Sequence, residues 1–146
     1  MRLPPRIKVL EALSALADGR VKLLSDKDAE VVSSDGSRIY RVHVDVGRRT
    51  AYSDDNGTMY RGYVGYPILS FLMARGLLPV DQKLGEALRG IPWRKLNEEY
   101  KKYEVVMQII KAELREKGIS EEEVERYIDL VLSHLKKLNL RLERPQ

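Results

Sequence analysis

The stretch Arg38-Ile39-Tyr40-Arg41-Val42-His43-Val44-Asp45-Val46 decides the fold class of this chain. Tyr40, Val42, Val44 and Val46 alternate with Ile39, Arg41, His43 and Asp45. One set faces a core and the other faces water, the period-two pattern of a half-buried strand. Downstream, Gly47-Arg48-Arg49 turns the chain, Thr50 to Ser53 returns as a strand, and Asp54-Asp55-Asn56-Gly57 marks the next turn. Upstream, Ser34 to Ser37 is a turn by composition, Ala29 to Ser33 is a short β-like run, and Arg20 to Leu24 alternates again. These runs predict an antiparallel meander with one buried face and one wet face.

Helical periodicity surrounds the meander. Ile7, Leu10, Leu13 and Leu16 form an apolar stripe between Pro5, suited to a first turn, and Gly19, placed to end the helix. Thr58 to Tyr66 reads as a strand or an ordered loop. Pro67 opens a helix that is apolar nearly all round and closes at Gly76, and a short helix follows the N-cap Asp81 and stops at Gly90. From Pro92, the spacing of Leu96, Tyr100, Tyr103, Met107, Ile110 and Leu114 predicts one continuous helix to Gly118. Ser120 with Glu123 forms a capping box, and Val124, Ile128, Val131, Leu135 and Leu138 carry the next helix. The result is an α+β chain ending in an antiparallel helical hairpin. It forms one domain over residues 1–140, with parts at 1–90 and 92–140, followed by a flexible polar tail at 141–146.

Composition narrows the function classes. With 146 residues, 43% hydrophobic and 33% charged, the chain can bury a core and is neither disordered nor fibrous. It has no apolar run of about 18 residues to cross a membrane and no signal-peptide pattern, which predicts a cytoplasmic protein. Zero cysteines exclude a disulfide framework, a thiolate zinc site and a cysteine nucleophile. Abundant Lys, Arg and Glu, with no Cys, match a thermophile-like composition. The net charge of +4 is concentrated in the first fifty residues.

No catalytic constellation is visible, so the chain reads as a non-enzyme without cofactor or metal. The two histidines, His43 and His134, have no ligand partners at metal-binding spacing. No phosphate-loop, dinucleotide or nucleophile-elbow motif occurs. Two surface features carry the functional expectation. Arg20, Lys22, Arg38, Arg41, Arg48 and Arg49 lie around the meander, with Arg61 and Tyr63 in the neighbouring tyrosine-rich segment. Cations for phosphates with aromatics for stacking predict contact with DNA or RNA. The seam of Leu96, Tyr100, Tyr103 and Met107 predicts a protein-partner or homodimer interface on the C-terminal helices. Together they describe an adaptor, or else an interaction module with no nucleic-acid role.

The middle of the chain, residues 19–76, resembles a SWIM zinc finger. The order runs through Gly19 to Leu24, Val31 to Ser37, Tyr40-Arg-Val-His-Val-Asp45, Thr50 to Asp54, and Gly65-Tyr-Pro-Ile-Leu-Ser-Phe-Leu72. The four positions that would carry zinc ligands are Ala51, Ser53, Gly65 and Pro67, none of which binds zinc. The resemblance implies a metal-free ββα unit held by its apolar core, with tyrosines in the metal's place. It also implies DNA or protein partners, including partners of recombinases.

Overall fold

The computed structural model describes residues 1–144. The chain is an α+β structure in the order α1 (Ile7–Ala17), β1 (Val21–Leu23), β2 (Asp28–Val32), β3 (Ile39–Asp45), β4 (Thr50–Ser53), a π-helical turn (Gly57–Arg61), α2 (Tyr66–Ala74), α3 (Gln82–Ala87), α4 (Trp93–Tyr100), α5 (Tyr103–Glu116), α6 (Glu121–Leu138) and β5 (Arg141–Leu142). The strands form one sheet in sequence order, antiparallel from β1 to β4.

The alternation in β3 sets the layers. Val42 and Val44 are buried, as are Ala29 and Val31 on β2 and Ala51 on β4. That face packs against α2, whose Ile68, Leu69, Phe71 and Leu72 are all at most 1% exposed. Burying a side chain of the Phe71 class contributes about 1.5–3 kcal/mol. An all-apolar helix has no wet face, so α2 lies between the sheet and α1. One continuous core then extends to Ile110 and Leu114 on α5 and to Ile128 and Val131 on α6, so the two sequence parts share it.

Local signals hold where they are local. Asp81 caps α3 by accepting from the Leu84 amide at 3.0 Å. Ser120 and Glu123 close a reciprocal capping box at 3.2 and 2.9 Å. Gly19 and Gly76, with φ of +73° and +75°, sit just beyond the ends of α1 and α2.

Three expectations are corrected. The segment from Thr58 is neither strand nor loop at its start but a π-helical turn, because the buried Asp55 carboxylate accepts from the Thr58 amide and hydroxyl and winds the chain there. The helix predicted from Pro92 to Gly118 is two helices, broken where Lys101 takes the left-handed conformation at φ +58°. The tail is not wholly free. Arg141 and Leu142 pair in parallel with Thr50 and Ala51, the Arg141 amide donating to the Arg49 carbonyl at 2.9 Å. Pro145 and Gln146, the end of the predicted tail, lie outside the described residues. Among the described residues no helix is long and apolar enough to cross a membrane.

Candidate functional site

A polar cleft of about 400 Å³ opens between α1, the β2–β3 turn, the π-helical turn and α4. Each wall has a physical reason to be there. The β2–β3 turn is fastened to the start of α4: the Arg94 amide donates to Ser34 Oγ and its guanidinium to Ser37 Oγ, both at 2.9 Å. Arg94 also lies 3.5 Å from Asp35. On the opposite side, Gly65 and Gly57 admit the close approach of Asp55 and Tyr63. A Cβ at Gly65 would lie 2.2 Å from Asp55 Oδ1, and one at Gly57 would lie 2.3 Å from the Tyr63 ring.

The charged groups lining the cleft fall into two sets. Those in its depth are neutralised. Glu11, only 3% exposed although it sits on the apolar helix α1, accepts from Lys8 Nζ at 3.2 Å and from Asn97 Nδ2 at 2.9 Å. Burial opposes the Lys8 charge, yet Glu11, Tyr103 and Tyr63 together outweigh it and hold the ammonium above the usual lysine range. The same ammonium sits 4.8 Å over the Tyr103 ring, a cation–π contact. Burial raises the Asp55 carboxyl against the hydrogen bonds from Thr58. At the mouth, Arg38 and Arg61 are exposed and, among the described residues, have no acidic partner within salt-bridge distance. Arg38 rests over the Tyr40 ring at 5.4 Å, and Tyr40 meets Tyr66 edge-on at 5.9 Å between centroids. Burial pushes the Tyr40 and Tyr66 hydroxyls up, so both stay protonated donors at neutral pH.

The structure divides the predicted nucleic-acid residues. Arg20, Arg38, Arg61 and Tyr63 line this cleft. Arg20 is a mostly buried structural group, bonded to Asp18 at 3.2 Å and to the Val32 carbonyl at 2.7 Å. Tyr63 is 7% exposed, so it is not the open stacking ring that the sequence suggested. Lys22 and Arg41 stand on the open sheet face, where both are register partners of Glu30. His43, on the same face, bonds Asp28 at 2.7 Å. Arg48 pairs with Glu143 at 3.2 Å, and Arg49 lies exposed at the β3–β4 turn. The meander face is therefore of mixed charge and not a continuous basic surface.

The predicted helical seam is also divided between core and surface. Met107 is in the core, Leu96 packs against it in part, Tyr103 faces the cleft, and Tyr100 is 40% exposed. Sequence reasoning missed Lys8, Glu11, Asp55, Trp93, Arg94 and Asn97. The available signal was Glu11, a carboxylate between Leu10 and Ala12 in an otherwise apolar helical stripe. Among the described residues no group of three or more His, Cys, Asp or Glu side chains is arranged to hold a metal ion.

A chain of hydrogen bonds ties β4 to the start of α2: Asp55 N to Ser53 Oγ at 3.4 Å, Thr58 Oγ1 to Asp55 Oδ2 at 2.8 Å, and Gly65 N to Thr58 Oγ1 at 3.3 Å. No curated protein and no solved structure matches the chain. A family model does: the one described as uncharacterised conserved protein UCP014422 matches residues 1–141, and the chain belongs to that family.

Proposed function

We propose that this protein is a non-catalytic binding module that holds single-stranded nucleic acid, DNA or RNA, at its polar cleft. The observation that carries the reading is the position of Arg38 and Arg61, exposed and without an acidic partner among the described residues, at the mouth of a recess walled by Tyr40 and Tyr66. Unpaired guanidinium groups take phosphates, and aromatic walls suit unstacked bases, which a single strand supplies without the cost of opening a duplex. The recess is concave, and the open sheet face alternates in sign, so neither matches the regular backbone of a duplex. A cytoplasmic location is part of the same proposal.

The test is fluorescence anisotropy with oligo-uridine, oligo-thymidine and a duplex of the same length. Arg38→Glu with Arg61→Glu should weaken single-strand binding at least about tenfold and lower the salt slope by about 1.4, two phosphate contacts' worth. Arg41→Glu with Arg48→Glu, on the sheet side, should change binding by less than about twofold. Wild-type protein that binds no strand at tens of micromolar, or equal losses in both variants, would overturn the reading.

The SWIM-like order is part of this proposal. Two of the four ligand positions, Ser53 and Gly65, are the ends of the Ser53–Asp55–Thr58–Gly65 chain, so hydrogen bonds join there what a metal would join. A protein contact on the helical half has its own support, since Tyr100, Val105 and Leu130 are exposed on α4, α5 and α6. Sedimentation of the pure chain across concentrations tests its homodimer form.

A further inference from the structure

Three buried side-chain polar atoms have no hydrogen-bond partner among the described residues: Arg20 Nη2, Trp93 Nε1 and Asn97 Oδ1. They come from two segments, Arg20 just before β1 and Trp93 with Asn97 one turn apart on α4, and all three residues line the same cleft. Interiors pair the great majority of such atoms, because an unpaired buried polar atom gives up its bonds to water without replacement. Orphans scattered over a molecule need separate partners, whereas three residues gathered on one recess can share one.

Their roles are set by the bonds their neighbours make. Asn97 Nδ2 already donates to Glu11 at 2.9 Å, so the amide orientation is fixed and Oδ1 remains an acceptor. Arg20 spends Nε on Asp18 and Nη1 on the Val32 carbonyl, leaving Nη2 as a donor. Trp93 is 3% exposed, and its indole N–H can only donate. These three buried atoms therefore offer two donors and one acceptor, beside the Tyr40 and Tyr66 hydroxyls of the walls.

We propose that the floor of the cleft reads the edge of a pyrimidine base, from a nucleotide whose phosphate lies at Arg38 and Arg61. Uracil presents two carbonyl acceptors flanking one N–H donor. Cytosine presents a carbonyl and a ring-nitrogen acceptor with one amino donor. Guanine presents one acceptor and two donors on the corresponding edge, which leaves a donor of the floor facing a donor, and adenine falls one acceptor short. A base extruded from a strand is read in such pockets by hydrogen bonds to this edge. The inference rests on the strand-binding reading above and adds to it the identity of the base.

The experiment is competition by free nucleotides against labelled oligo-uridine on the full chain, with UMP, CMP, AMP, GMP and ribose 5-phosphate as competitors. UMP and CMP should compete at concentrations about tenfold below GMP and ribose 5-phosphate, the discrimination a set of base-edge bonds supplies. Trp93→Phe, which keeps an aromatic ring and removes the N–H, should shrink that preference while leaving ribose 5-phosphate unchanged. The nucleotide comparison uses wild-type protein and so does not depend on the variant folding. Equal competition by all five would end the base-reading proposal and leave strand binding standing. Failure of the oligonucleotide itself to bind would end both.

Discussion

Asp35 shows how one side chain at the tip of the β2–β3 turn steadies a wall of the cleft. Its carboxylate accepts from the Ser37 hydroxyl at 2.7 Å, the Ser37 amide at 2.9 Å and the Ser33 hydroxyl at 2.9 Å, and Arg94 of α4 stands beside it. Those donors favour the charged form and lower its pKa from 3.8 to about 2. Because the folded value lies below the unfolded one, the stabilisation is complete above pH 3.8 and is lost as pH falls through about 2. Wild-type stability should therefore fall between pH 4 and 2, and Asp35→Asn should flatten that part of the curve. Urea melts at stepped pH, with the carboxyl resonance of Asp35 followed by NMR, check both. This residue was legible in sequence only as a member of a turn. Its link to α4 joins positions about 60 residues apart, and no local pattern encodes that.

Among elements, the helices of the C-terminal half separate what the sequence states from what it leaves to packing. Ser120 and Glu123 announce the start of α6, because a cap is a contact between residues three apart. The break between α4 and α5 has no such mark: Lys101 and Lys102 are ordinary helix formers, and the apolar spacing runs straight through them. Contacts distant in sequence flank the break, Asn97 with Glu11 and Tyr103 with Lys8, and Lys101 bears a left-handed φ of +58° that favours glycine. The two sites should respond in opposite directions. Ser120→Ala should cost about 1 kcal/mol by removing the cap. Lys101→Gly should raise stability by up to about 1 kcal/mol, the relief of strain less the added freedom of the unfolded chain. Chemical denaturation of the two variants beside the parent protein decides this.

At the scale of the molecule, the meander, the core helix and the hairpin follow from periodicity, and the cleft does not. Its lining is drawn from Lys8 near one end to Tyr103 far along the chain, so it exists only once tertiary structure has assembled. The basic residues illustrate the limit. Strand alternation placed Arg41 on the wet face correctly, but could not foresee that Glu30 would be its partner in register. The fifth strand is the other long-range feature. It covers the outer edge of β4 at Thr50 and Ala51, and an uncovered edge is a template for pairing with another chain. Protein truncated after Asn139 should therefore self-associate, visible as early elution in size exclusion and as light scattering on storage. The same pairing has a consequence in time. About 90 residues separate Thr50 from Arg141, and synthesis adds about 5–20 residues per second. The nascent sheet thus waits roughly 5–18 seconds on the ribosome with one border open, and its last two backbone bonds form only after Arg141 to Glu143 have been added.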